Sequence, residues 1–212
     1  MVRGIIVKKY VVNKCLNLIR KYRNISNNEE AVIRYGLEGI YLTITKTIVI
    51  LIIAAILGYF IESIIFTIIY ALLRSFSFGI HAKKSWMCWI SSIIIFVLIP
   101  IIAKEIIINF YIKYIIGIIG AILIFKNSPA DTEKRPIVNS KRRLRLKITS
   151  TIIALIYFTL TIIINDQFIS NCFIYSILLQ NILISRFTYK LFNLPYNNYL
   201  TYLKSHPELN NL

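Results

Sequence analysis

Six stretches of Ile, Leu, Phe and Tyr, each close to a span's length and poor in charge, constrain this chain more than any other feature. An α-helix rises 1.5 Å per residue, so roughly 20 residues cross a hydrocarbon core about 30 Å thick. The runs predict spans near 40–57, 60–78, 86–102, 106–125, 148–164 and 168–185. A soluble fold fails on surface-to-volume grounds, because 212 residues of which 57% are hydrophobic would leave too much apolar area in water. The predicted fold class is all-α: a polytopic integral membrane protein with about six transmembrane helices and an N-terminal amphipathic interfacial helix.

Residues 1–38 form that first region. Val7, Val11 and Leu18, with Val12, Leu16 and Ile19, follow three/four-residue spacing among Lys8, Lys9, Lys14, Arg20 and Lys21. The pattern predicts a helix lying on the cytoplasmic bilayer surface. Ser26–Asn28 give a turn, and Glu29 and Glu30 suit the first turn of a helix running through Tyr35 toward span one. Residues 39–190 are the expected six-span domain, and 191–212 a cytoplasmic tail. The charge-dense first 30 residues predict no removable signal peptide.

A net charge of +16 could mark a nucleic-acid binder, but the cations concentrate beside the apolar runs. Eight Lys/Arg precede span one, Arg74, Lys83 and Lys84 separate spans two and three, and eight more separate spans four and five. Arg186, Lys190 and Lys204 follow span six, whereas the opposite ends carry Lys104 and Lys113. This bias puts both termini and the loops near 80 and 135 in the cytoplasm, against the lipid bilayer of the cell membrane, with no nucleic-acid partner. Lys46 and Glu62 read as charges reaching water near span ends. Pro100 marks a helix end or kink.

Cys15, Cys88 and Cys172 are too few and too scattered for a disulfide framework or a zinc cluster, so no metal site is expected. Only Cys88 has neighbours of chemical interest. His81 precedes it by seven residues in a cationic loop with Arg74, Lys83 and Lys84. Cationic neighbours and a helix N-terminus favour a thiolate, and a histidine can take the thiol proton and return one to a leaving amine. On a straight helix the two side chains would share a face yet stand about 10.5 Å apart. Proton transfer needs about 3–4 Å. The chain from Gly79 to Cys88 therefore cannot be one regular helix if the pair works, and Gly79 is the expected bend. The plainer reading is a solvated histidine and an inert cysteine, because a Cys/His pair alone does not transfer between families.

His81-Ala-Lys-Lys-Ser-Trp-Met-Cys88, preceded by Arg74 and Gly79, resembles the signature of the AgrB family of accessory gene regulator peptidases. Glu30-Ala-Val-Ile-Arg-Tyr-Gly-Leu37 and Pro129-Ala-Asp-Thr-Glu-Lys-Arg-Pro136 resemble further segments of that family, in order along the chain. Many members carry Gly-Gly before the histidine, where this chain has Phe78-Gly79. The resemblance implies a cysteine endopeptidase that removes the C-terminal tail of a short, AgrD-like quorum-sensing propeptide. Cys88 would be the nucleophile, His81 the general base, and a thioester the intermediate from which a thiolactone or lactone pheromone closes. No cofactor, ATP or metal is required, because the thioester conserves the acyl activation. A homodimer is expected from the family and from the broad apolar faces.

Asp131 or Glu133 could orient the His81 imidazole as the third member of a triad does, or simply hold a loop or helix cap. Arg74, Gly79, Lys83, Ser85, Lys134 and Arg135 are further candidates for orienting the pair or touching substrate. The cations from Lys134 to Lys147 could attract an acidic peptide tail, or serve topology alone. Two readings of other classes stand beside the peptidase. One is a peptide transporter or exporter, which should show coupled intramembrane charges, inverted repeats or interrupted helices. The other is a membrane scaffold acting through its basic N-terminal helix.

Overall fold

The computed structural model describes residues 2–23, 26–80, 85–133 and 135–207; the side chains of residues 2–6 and of Ser85 lie outside that description. The chain is an all-α polytopic membrane protein, with six helices among the described residues long and apolar enough to cross a bilayer. In order they are α2 (Asn27–Ile56), α3 (Phe60–Ser77), α4 (Ser85–Ile93) continuing into α5 (Ile99–Glu105), α6 (Phe110–Asn127), α7 (Ser140–Ile163) and α8 (Gln167–Ile184). Helix α1 (Val2–Tyr22) precedes them, and α9 (Arg186–Leu191) and α10 (Asn198–Ser205) follow.

Two compact units divide the chain, residues 1–53 and 54–212. In the first, Lys8 meets Glu38 at 2.6 Å, Arg34 meets Asn13 at 2.9 Å, and Arg20 meets Glu30. The descending pairing makes α1 antiparallel to the start of α2. Of the two apolar sets on α1, Val12 and Leu16 are buried, while Val7, Val11 and Leu18 stay exposed. Ser26 and Glu29 cap α2 reciprocally: the Glu29 N–H donates to Ser26 Oγ, and the Ser26 N–H to Glu29 Oε2.

In the second unit α8 is the central post. Its Phe173, Ile177 and Ile184 pack with Leu73 of α3, Ile124 of α6, Ala154 and Tyr157 of α7, and Tyr189 of α9. Close approach depends on small residues, as membrane helix packing favours. A Cβ on Gly120 would come within 2.3 Å of Ile177, and one on Gly117 within 2.1 Å of Phe158. Buried hydrogen bonds tie the post laterally: Asn171 Nδ2 to the Ala103 and Ile106 carbonyls, Asn181 Nδ2 to the Gly120 carbonyl, and Lys113 Nζ to Ser170 Oγ.

Three expected boundaries need correction. Helix α6 starts at Phe110 rather than near 106, because Asn109 caps it by accepting from the Tyr111 N–H at 2.9 Å. Helix α7 starts at Ser140 rather than near 148: Asn139 caps the Arg142 N–H, so about two charged turns precede the apolar run. Pro100 does not end its helix. A π-helical turn, Ile94–Leu98, widens the coil just before it, and the span continues to Glu105. The wider turn makes room for a ring that lacks an N–H and crowds the preceding turn.

Candidate active site

Helix α3 stops because the chain leaves the helical region. Phe78 has φ +57° and Gly79 φ +117°, and the Phe78 N–H closes the last turn on the Arg74 carbonyl at 3.0 Å. A Cβ on Gly79 would lie 2.5 Å from Arg74 Nη1 and 2.8 Å from the Leu183 carbonyl oxygen, so only glycine fits. The bend expected at Gly79 is therefore present, and no helix runs unbroken from 78 to 92.

The bend is held from three sides. The Gly79 N–H donates to the Ala130 carbonyl at 2.8 Å, and the Ala130 N–H to the Ser77 carbonyl at 3.0 Å. Arg74 places its guanidinium against the Phe78 and Ile80 carbonyls, the latter at 2.6 Å. From α8, Gln180 Nε2 donates to the Phe78 carbonyl at 2.7 Å, and the Leu183 carbonyl accepts from the Ile80 N–H at 3.2 Å. Arg74 thus works as a fork on backbone oxygens, a geometry that lysine cannot copy.

His81 and Lys83 lie outside the described residues, as does the side chain of Ser85, so the expected approach of His81 to Cys88 lies outside them too. Among the described residues α4 opens at Ser85, and it carries Cys88, partly exposed and in no disulfide. The Cys88 carbonyl accepts from Ser92 Oγ at 2.7 Å, fixing the local backbone.

Asp131 is buried, and both carboxylate oxygens are taken. Oδ1 accepts from the Asn198 N–H at 3.0 Å, and Oδ2 from the Tyr199 N–H at 2.8 Å and the Ile137 N–H at 3.4 Å. Arg143 Nη1 stands 3.6 Å from Oδ2, with its guanidinium carbon 3.5 Å over the Tyr199 ring. Tyr189 donates its hydroxyl to the Asp131 carbonyl at 2.7 Å. Burial first, then the Asp131 charge, push the Tyr189 phenol up, so it stays a donor at neutral pH.

Glu133 and Arg135 are exposed in a turn closed by the Arg135 N–H on the Thr132 carbonyl at 3.0 Å, and Lys134 lies outside the described residues. Lys141, Arg142 and Arg145 point outward from the first turns of α7. The structure thus brings Arg74, Gly79 and the Asp131 loop together around Phe78, and leaves Glu133 and Arg135 at the surface.

Gln180, Tyr189 and Asn198 escaped the reading of the sequence. Gln180 had a signal, since an amide inside a span is costly unless bonded to a neighbouring element. Tyr189 and Asn198, in a polar segment, carried none.

The sequence profile of the family described as Accessory gene regulator B matches residues 12–184. An AgrB-like protein of Clostridium acetobutylicum is 32% identical over 181 residues, covering 85% of this chain and 87% of its own. Accessory gene regulator protein B of Staphylococcus intermedius is 29% identical over 170 residues, covering 80% and 89%. An AgrB-like protein of Listeria monocytogenes is 33% identical over 172 residues, covering 80% and 83%. No solved structure matches the chain.

Proposed function

The chain belongs to the accessory gene regulator B family and acts in accessory gene regulator quorum sensing, and from that premise we propose that it is a membrane-embedded cysteine endopeptidase. Its substrate is a short propeptide, cut at the cytoplasmic face of the cell membrane. Cys88 Sγ attacks the scissile carbonyl carbon while its proton passes to His81. The tetrahedral adduct collapses, the C–N bond breaks, and the imidazolium returns the proton to the leaving amine. The trimmed peptide is then a thioester on Cys88. A thiol or hydroxyl within that peptide attacks the thioester carbonyl, the bond to Cys88 breaks, and the ring closes with the Cys88 thiol restored.

The observation that supports this reading is the fixed bend at Phe78–Gly79 ahead of the helix that carries Cys88. A regular helix running through 78–92 would have counted against the pair, and the turn at Phe78–Gly79 excludes one. The test is co-expression with the cognate propeptide, following the propeptide's mass. Loss of the cleaved product in both Cys88→Ala and His81→Ala supports the reading, and normal processing by either variant overturns the dyad. Export of intact propeptide, with no cleavage, would favour the transporter instead.

A further inference from the structure

Two successive residues of the loop after α6 face opposite ways. Ala130 holds the bend, donating to the Ser77 carbonyl and accepting from the Gly79 N–H. Asp131 holds the C-terminal segment, accepting the first two N–H groups of α10 on its carboxylate and the Tyr189 hydroxyl on its carbonyl. Its side chain is 2% exposed, with Arg143 as its cationic neighbour. The N-terminus of α10 therefore ends on a buried carboxylate one peptide away from the residue that fixes Phe78–Gly79.

We propose that Asp131 is a positioning residue that latches the α9–α10 segment to this loop and, through Ala130, fixes the bend from which His81 and Cys88 are presented. The proposal rests on the peptidase reading above. It assigns α10 to the working site. It also has Asp131 act through backbone rather than on the imidazole, since both of its oxygens already serve backbone donors.

The test uses full-length protein in lipid nanodiscs with its propeptide, reading kcat and KM across the neutral pH range. Asp131→Asn and Tyr199→Pro each break the latch, the second by deleting one N–H at a helix position where proline is tolerated. Each should lower kcat about 10²-fold, the usual scale for an ångström of misplacement, with KM and the shape of the pH profile kept. Tyr199→Ala, which keeps the N–H, should fall far less. The double variant should be no worse than either single one, because both break one linkage. Wild-type kcat in Asp131→Asn and Tyr199→Pro, or additive losses in the double variant, overturns the latch. A shifted imidazole limb in Asp131→Asn also overturns it, by placing the carboxylate on His81. If Asp131→Asn does not fold, Tyr199→Pro carries the test alone. Cleavage by Cys88→Ala would overturn the peptidase reading itself, whereas an inactive Cys88→Ala beside a fully active Tyr199→Pro overturns only the latch.

Discussion

The Gly79 N–H donates to the Ala130 carbonyl over 2.8 Å, joining the end of span two to the loop after span four across two intervening spans. The same bend receives Arg74 from its own helix and Gln180 from α8, both on the Phe78 carbonyl. Backbone in sparsely populated φ/ψ regions persists only where its surroundings over-determine it, and such places cluster at functional sites. Here three separate elements do the determining.

Gly79→Ala should abolish most processing. The added methyl meets Arg74 Nη1 and the Leu183 carbonyl oxygen, both backed by fixed partners, at a φ of +117° that alanine avoids. Strain of about 1–3 kcal/mol is expected, seen as a lower unfolding temperature in detergent. Propeptide cleavage should fall about 10²-fold as the bend opens. Unaltered cleavage would mean that the bend does not set the site.

Arg74→Lys separates charge from geometry. Lysine keeps the positive charge near the loop but cannot fork onto the Phe78 and Ile80 carbonyls together. Losing one charge-assisted hydrogen bond costs about 1.5–3 kcal/mol, so Arg74→Lys should behave nearly as badly as Arg74→Ala in a cleavage assay. Near-normal cleavage by Arg74→Lys would show that charge alone is what the site uses.

The division between what was legible and what was not follows range. Hydropathy located six spans, and the turn at Ser26–Asn28 with Glu29 and Glu30 after it announced the start of α2, because each signal lies within a few residues of its effect. The bend at Gly79 followed from a distance requirement on residues 81 and 88. The starts of α6 and α7 were misplaced because Asn109 and Asn139 decide them by capping, which hydropathy does not register. Asp131 could be named as a loop carboxylate, but its partners Asn198 and Tyr199 lie beyond two further spans, and no local pattern points to them. Of the two apolar sets on α1, packing selects Val12 and Leu16, and periodicity alone gave no reason to prefer them.

Gln180→Leu should also weaken the site, more gently. Leucine fills a similar volume in the α8 core, and the Phe78 carbonyl keeps Arg74 as a donor. The loss is one buried hydrogen bond, about 1 kcal/mol. A fall of roughly fivefold in cleavage rate matches that energy at room temperature. Gln180→Glu should do worse in the same assay, since it sets a carboxylate against a carbonyl oxygen. Wild-type rates in both variants would show that the Gln180 donor does not matter to the bend.

The Glu62–Lys104 pair offers the opposite expectation, because it lies at the far end of α3. Glu62 is in the first turn of that helix and Arg74 in its last, about 18 Å apart along the axis at 1.5 Å per residue. Lys104 is about half exposed, and an ion pair so open to water is screened and adds little. Tyr59, donating to Glu105 at 2.9 Å, ties the same two elements without it. Glu62→Gln and Lys104→Met should therefore leave cleavage within about twofold of wild type. A transporter driven by coupled charges would depend on such a pair. Loss of peptide export in Glu62→Gln, with cleavage intact, would show that this end of the molecule moves the product, whereas loss of cleavage would show that the bend is set from across the membrane.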